Sequence, residues 1–204
     1  PRRLGMSNPL VYQINTRCWL RELSVAAGRA LTLADVPAAE FTAWRERGFT
    51  HVWLMGVWTV GPKARKAALS EAINRRVYSE VLRDWREEDV AGSPYAIAEY
   101  TVAVELGGDA ALAAFRTRLQ EAGLKLLLDF VPNHVGIDHR WIRERTELFV
   151  QSPKHTPETF PVQRAIGTRW IAHGRDPNFP AWMDTAQLDY RNPDTRVAVI
   201  EQLL

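Results

Sequence analysis

The sequence predicts an α/β fold in which parallel strands alternate with helices. Three short, almost continuous apolar runs have the composition of strands buried on both faces: LVYQIN, HVWLMGV and LKLLLDF. Helical segments lie between them, and both long insertions follow a strand at its carboxyl end. Because the loops after parallel strands build the active-site face of a (β/α) barrel, this placement favours a barrel over an open doubly wound sheet.

Local sequence patterns predict the first strand–helix–strand unit. The β-prone run VYQI covers residues 11–14, and PAAEFTAWRERG follows as a helix at residues 37–48, with two aromatic residues on one face. Pro37 in the first turn and Gly48 at the end are typical helix boundaries. The second strand, HVWLMGV, begins at His51.

A charged insertion separates the second strand from the next helix. It runs from Lys63 to Asp89, and four apolar residues at four-residue steps predict an amphipathic helix within it: Ile73, Val77, Val81 and Trp85. GGDAALAAFRTRLQEAG then predicts a further helix, with Asp109 as candidate N-cap and Gly123 as its end. The third strand, LKLLLDF, follows at once.

The rest of the chain divides into two parts. Residues 135–188 are rich in Pro, Trp and His and predict a long loop or small subdomain inserted after the third strand. Residues 189–204 predict the third barrel helix, with Asn192 as N-cap and Pro193 at the first helical position. With residues 1–134 as the first part of the barrel, we expect three strand–helix units of a partial (β/α)8 TIM barrel, cut from a longer chain, since a complete barrel takes about 250 residues.

Composition narrows the classes of function. The chain has 26 Lys and Arg against 24 Asp and Glu, with no basic stripe, so nucleic acid is not an expected partner. No apolar run reaches the roughly 18 to 20 residues of a membrane span, and the N-terminal PRRLGMSNPL lacks the apolar region of a secretory signal. The single cysteine, Cys18, excludes an internal disulfide, so we expect a cytoplasmic protein with Cys18 as a small buried side chain.

Polar side chains gather where the third strand ends, in LKLLLDFVPNHVGIDH. Asp129 closes the strand, and Asn133 and His134 follow after Pro132 has turned the chain out of it. One interpretation is structural, with the carboxylate capping loop amides. A second is a metal-dependent hydrolase, because HVGIDH is similar to the H-x-H-x-D-H run of metallo-β-lactamase-like enzymes, although Gly136 stands where a ligand histidine is needed.

The third interpretation is a resemblance that extends along nearly the whole chain. DFVPNH has the form D-x-V-x-N-H of the alpha-amylase family, glycoside hydrolase family 13, and VYQINTRCW resembles the first strand of that family. GFTHVWLMGVW resembles its second strand, with Gly56 for the usual proline. SPYAIAEYTV resembles Y-x-x-x-D-Y, with Glu99 for Asp. AQLDYRNPDTR resembles P-D-L-N-x-x-N-P-x-V-R, with Ala186 and Gln187 for the Pro-Asp pair and Thr195 for the Val.

The resemblance implies a retaining glycoside hydrolase or transglycosylase of carbohydrate metabolism, with an α-glucan or α-glucoside as substrate. It implies that Tyr95 stacks on the glucosyl unit in the −1 subsite, that His134 binds the primary hydroxyl of that sugar, and that Asp129 pairs with an arginine near the nucleophile. Asn133 and Asp189 match positions that ligate calcium in many members, so Ca²⁺ is the metal to consider, and no other cofactor is implied. Calcium takes six to eight oxygen ligands.

No catalytic residue is predicted within the 204 residues. In the resembling family the nucleophile motif G-x-R-x-D and the glutamic acid follow the fourth and fifth strands, and neither occurs here. A retaining enzyme needs both carboxyl groups, about 5 to 5.5 Å apart. We therefore expect an N-terminal fragment that is inactive alone and depends on the remainder of the barrel. The alternative is a non-catalytic, sugar-binding half-barrel.

Overall fold

The computed structural model describes residues 8–204 and contains two compact units. The first unit holds the described residues up to Val57 together with Thr101–Asp129, and the second holds Trp58–Tyr100 and Phe130–Leu204. Residues 1–7, which belong to the N-terminal segment considered above as a possible secretory signal, lie outside this description. Among residues 8–204, none of the helices has the length and apolar character that a bilayer span requires.

The strands of the described residues are, in chain order, β1 (Val11–Asn15), β2 (His51–Met55), β3 (Trp58–Val60), β4 (Ile97–Val102), β5 (Lys125–Leu128), β6 (His134–Gly136), β7 (Gln151–Ser152), β8 (Thr159–Arg164), β9 (Gly167–Ala172) and β10 (Thr185–Gln187). The α-helices are α1 (Thr16–Ala27), α2 (Ala38–Glu46), α3 (Pro62–Ser70), α4 (Ala72–Val81), α5 (Gly108–Glu121), α6 (Trp141–Glu144) and α7 (Pro193–Leu203).

A parallel sheet forms the centre of the first unit, as the strand–helix alternation predicts. β2 lies between β1 and β5, and Trp53 is paired with Gln13 on one side and with Leu127 on the other. Val52 and Leu54 of β2 are fully buried. Aromatic rings from β1, the helices and the loop before β2 pack at centroid distances of 4.9 to 6.4 Å: Tyr12, Trp19, Phe41, Trp44, Phe49 and Phe115.

Helix α1 is absent from the sequence prediction. It begins directly after β1, where Oδ1 of Asn15 accepts a hydrogen bond from the backbone N–H of Cys18 at 3.3 Å, and it ends at Gly28 with φ of 66°. Thr16 and Leu20 are its buried residues, so its apolar stripe is too sparse to signal a helix. The expectation that Cys18 is buried is wrong, because the cysteine lies on the exposed side of this helix.

Helix α5 begins at Gly108, one residue before Asp109, the residue predicted as its N-cap. Gly107 is the N-cap and Gly108 the first helical residue, so the prediction of Asp109 as N-cap is wrong. The carboxylate of Asp109 instead accepts a hydrogen bond from the backbone N–H of Val102 at 2.8 Å. Gly123 follows the helix with φ of 73°, a left-handed conformation that glycine adopts without strain.

The insertion after the third strand is more regular than its composition suggests. β7, β9 and β8 form an antiparallel sheet with β9 in the middle, and β6 pairs antiparallel with β10. α7 begins at Pro193, and Oδ1 of Asn192 accepts from the N–H of Asp194 at 3.0 Å, as predicted for an N-cap. Side chains from these elements share one buried cluster, which includes Val135, Trp141, Leu148, Phe149, Ile171, Leu188 and Ala198.

The charged insertion forms two helices, α3 and α4, where one is predicted. On the inner side of α4, Asn74 and Tyr78 donate to the carbonyl oxygen of Ala68. The apolar row of the predicted amphipathic helix is largely exposed: Ile73 by 69%, Val77 by 42% and Val81 by 81%. The helical period is confirmed for residues 73–81, but α4 ends at Val81, so the prediction that Trp85 continues the helix is wrong. Within residues 8–204 this row does not cover a core.

Candidate functional site

Asp129 lies directly after β5 in the first unit and is 8% exposed. Its Oδ1 accepts a hydrogen bond from the indole N–H of Trp53 at 2.8 Å, and its Oδ2 accepts from the backbone N–H of Gly56 at 2.5 Å. Both donors belong to β2 or to the turn after it, so the carboxylate joins the carboxyl ends of two neighbouring strands. The contact with Gly56 is the capping of a loop amide that the structural interpretation predicts.

His134 and Tyr95 are neighbours in the second unit. His134 opens β6, is 8% exposed, and its imidazole hydrogen-bonds the backbone of Tyr95. Tyr95 is half-buried in the turn before β4, where the N–H of Ala96 donates to the carbonyl of Ser93 at 3.1 Å. Two residues assigned to one sugar subsite by the resemblance therefore lie together, although β4, α5 and β5 separate them in sequence.

The environment of His134 favours a neutral imidazole. Burial lowers the pKa of His134 below its ordinary value, and the hydrogen bond to the Tyr95 backbone opposes this only in part. Nδ1 lies 3.1 Å from the amide nitrogen of Asn133, and the indole of Trp182 packs against the ring with centroids 5.2 Å apart. An amide N–H facing Nδ1 makes that nitrogen the acceptor, which leaves the proton on Nε2.

Gly136 lies between the same two segments and leaves no room for a side chain. A Cβ added there would stand 2.5 Å from the carbonyl oxygen of Ala96 and 2.8 Å from its carbon. A histidine at this position would collide with the backbone, so the H-x-H spacing of the metal-hydrolase alternative cannot be built here. Within residues 8–204, no cluster of three or more His, Cys, Asp or Glu side chains is placed to hold a metal ion.

The predicted calcium ligands, Asn133 and Asp189, already face hydrogen-bond donors. Oδ1 of Asn133 accepts from Nε2 of Gln187 at 3.1 Å. The two carboxylate oxygens of Asp189 accept from the guanidinium of Arg191 at 2.8 Å each, and this contact lowers the pKa of the Asp189 carboxyl. Calcium is bound by converging oxygens and not by N–H groups, so this arrangement does not fit the ion.

Gln187 therefore belongs to the site, although the sequence analysis assigns this residue no role. The one sequence signal for it is its position in the motif, where the resembling family has an aspartate. A change from carboxylate to amide adds an N–H donor in place of a negative oxygen. The partners of that donor lie at the beginning of the insertion, and no local sequence pattern identifies them.

Two further buried histidines stabilise the insertion. His139 is 2% exposed, and its Nδ1 accepts from the backbone N–H of Trp141 at 3.2 Å. Burial, aided by the charge of Arg140, lowers the pKa of His139 to about 4. His173 contacts the backbone oxygen of Thr185 at 3.1 Å, and burial also lowers its pKa.

The alpha-amylase catalytic-domain family model matches residues 46–185 of this chain. No curated protein sequence matches it. Among solved structures, an alpha-amylase from Lactobacillus plantarum is 24% identical with a TM-score of 0.63. A maltogenic alpha-amylase from Thermotoga neapolitana is 20% identical with a TM-score of 0.60, and a trehalose-6-phosphate hydrolase from Bacillus licheniformis is 15% identical with a TM-score of 0.60.

Each of these structures matches 96% of this chain, whereas the chain covers 35%, 35% and 32% of theirs. The chain thus spans about a third of their length, which agrees with the expected partial barrel. The family model covers more than half of the residues in the sequence. On this evidence the chain belongs to the alpha-amylase family.

Proposed function

We propose that this chain contributes sugar-binding residues to a retaining enzyme that hydrolyses or transfers α-glucosidic bonds. Membership of the alpha-amylase family supports this class of reaction. The observation that carries the proposal is the proximity of His134 to the turn at Tyr95, where the imidazole faces the Tyr95 backbone and Gly136 packs against the carbonyl of Ala96. It joins the two residues that the resemblance assigns to the −1 subsite.

The chemistry of this pair suits a neutral sugar. The phenol ring of Tyr95 offers an apolar face for the C–H side of a pyranose. His134, with its lowered pKa, exchanges hydrogen bonds with hydroxyl groups without bringing a charge. A primary hydroxyl would compete with Asn133 and with the Tyr95 backbone for the imidazole nitrogens. Such contacts accelerate the reaction where they strengthen in the transition state.

We assign Asp129 the role of an orienting residue and not that of the nucleophile. Its two oxygens accept hydrogen bonds from Trp53 and Gly56, so the carboxylate is held in one direction by the first unit. The motifs that carry the nucleophile and the general acid in this family do not occur in the 204 residues. The chain should therefore bind sugar without cleaving it.

Calorimetric titration of the 204-residue chain with maltose tests the sugar site. Binding should be lost in His134→Ala and in Tyr95→Ala. The exposed His155 lies in the same unit, so His155→Ala is a matched control that should bind as the unchanged chain does. Equal binding by the unchanged chain and by His134→Ala would contradict the proposed subsite.

A chromogenic α-glucoside tests the absence of catalytic carboxylates. We expect no turnover by the purified chain above the rate of a buffer blank. Hydrolysis that disappears when one of the chain's own aspartates or glutamates is replaced would contradict the assignment. Contaminating hydrolases would not respond to such a replacement, so the variant serves as the control.

A further inference from the structure

Gln187 lies where three segments of the second unit meet. It ends β10 and is paired in register with His134 of β6. Its Nε2 donates to the backbone oxygen of Asn133 at 2.9 Å and to Oδ1 of the same residue at 3.1 Å, and it lies 3.4 Å from the backbone oxygen of Leu188. Its Oε1 accepts from the backbone N–H of Arg175 at 3.0 Å.

The surroundings determine which way this amide points. If it were turned over, Oε1 would face the oxygens of Asn133 and Leu188, and the NH₂ group would face the N–H of Arg175. Acceptors would then meet acceptors and donors would meet donors, so every contact would be repulsive. The nitrogen of Gln187 therefore points at the oxygen cluster.

Asn133 completes the network from the other side. Its side-chain nitrogen donates to the backbone oxygen of Arg175 at 3.3 Å and faces Nδ1 of His134 at 3.1 Å. The start of the insertion, its end and the loop at Arg175 are thus held together by two amide side chains. Each amide has a donor opposite its oxygen and acceptors opposite its nitrogen.

Converging carbonyl and side-chain oxygens are the ligands that calcium uses, at roughly 2.3 to 2.6 Å. Here the Gln187 amide nitrogen lies within 3.4 Å of three such oxygens, two from Asn133 and one from Leu188. We propose that Gln187 takes the place of a metal ion at this junction, so that the alpha-amylase site predicted at Asn133 and Asp189 is closed by N–H donors and the fold does not depend on calcium. The contacts of Asp189 support this assignment, because the guanidinium of Arg191 donates hydrogen bonds to both of its carboxylate oxygens.

A change of Gln187 to glutamate reverses the chemistry of the junction. It replaces the donor by a carboxylate oxygen that faces the two oxygens of Asn133. Those contacts are repulsive unless a cation lies between them. Gln187→Glu should therefore make the stability of the chain depend on calcium, whereas Gln187→Leu should remove the donor without creating a ligand.

Thermal unfolding in excess calcium and in excess EDTA tests the proposal on the 204-residue chain. The unchanged chain should have the same Tm in both. Gln187→Glu should lose several degrees in EDTA and regain about 2 to 4 °C or more in calcium, and Gln187→Leu should lose stability equally in both. Gln120→Glu makes the same charge change at an exposed residue of α5 and should show no response to calcium.

A Tm of the unchanged chain that rises in calcium or falls in EDTA would overturn the proposal, and so would calcium retained after dialysis. That measurement needs no variant and decides the question even where Gln187→Glu does not fold. A folded Gln187→Glu chain that ignores calcium would also overturn it, because the oxygens would then not be a cation's ligands. These readouts do not involve sugar, so they are independent of the proposed function.

Discussion

The backbone N–H of Gly56 donates a hydrogen bond of 2.5 Å to the buried carboxylate of Asp129. The alpha-amylase family, which this chain resembles in its second strand, has a proline where Gly56 stands. Proline has no N–H to donate and a φ near −65°, whereas Gly56 has φ of 74°. The glycine is therefore coupled to the carboxylate, and the family residue would not fit this turn.

Gly56→Pro should destabilise the chain. We expect a loss of about 3 kcal/mol or more in the free energy of unfolding, because the substitution removes the hydrogen bond and imposes a different φ. Gly56→Ala keeps the N–H and should lose less stability than Gly56→Pro. Urea unfolding followed by tryptophan fluorescence measures both. A Gly56→Pro chain as stable as the original would refute the coupling.

His139 should make stability fall with pH in the acidic range. The pKa of His139 is about 4 in the folded chain, whereas a histidine in an unfolded chain has a pKa of about 6.5. Between these values the unfolded chain binds the extra proton, so the free energy of unfolding decreases as the pH falls from about 6.5 to about 4, by up to roughly 3 kcal/mol. The lowered pKa values of His134 and His173 act in the same direction.

Urea unfolding at several pH values isolates the contribution of His139. The advantage of the unchanged chain over His139→Asn should shrink as the solution is acidified, because asparagine does not titrate. His155→Asn, at an exposed histidine, is the matched control for the loss of an imidazole. Parallel profiles for the unchanged chain and His139→Asn would show that burial does not keep this imidazole neutral.

Gly136→Ala should disrupt the junction between β6 and the turn at Tyr95. The added methyl group would stand 2.5 Å from a backbone oxygen that cannot rotate away, so we expect a loss of about 3 kcal/mol or more. Gly28→Ala is the matched comparison, since its methyl group would meet nothing within 4 Å and only the left-handed conformation costs energy, about 1 to 2 kcal/mol. Equal losses in urea unfolding would argue against a steric role for Gly136.

Polar substitutions in the apolar row of α4 should leave stability unchanged. Val81 is 81% exposed, so Val81→Ser removes little buried surface and should change the free energy of unfolding by less than about 0.5 kcal/mol. Val52→Ser, at a fully buried residue of β2, should cost several times more. A large loss for Val81→Ser in urea unfolding would mean that this row is covered in solution.

Several elements could be predicted because their signals are local. β2 and β5 are continuous apolar runs, and the start of α7 is marked by Asn192 and Pro193. α1 escaped prediction because Thr16 and Leu20 are the buried residues of its twelve, and a stripe this sparse carries no clear period. The β8–β9 pair escaped because Thr159–Arg164 contains a proline and lacks a regular alternation of apolar and polar residues, so its order comes from pairing with β9.

The sequence by itself determined that buried parallel strands alternate with helices and, through several motif-like segments in the order of the alpha-amylase family, which family the chain resembles. Tertiary structure alone decided that Tyr95 and His134 touch, that Gly136 has no room for a side chain, and that the amide of Gln187 faces Asn133. The reason is physical. The periodicity of apolar residues and the capping of helices depend on residues that are close in sequence. The pairing of hydrogen-bond donors with acceptors depends on how the backbone brings distant segments together.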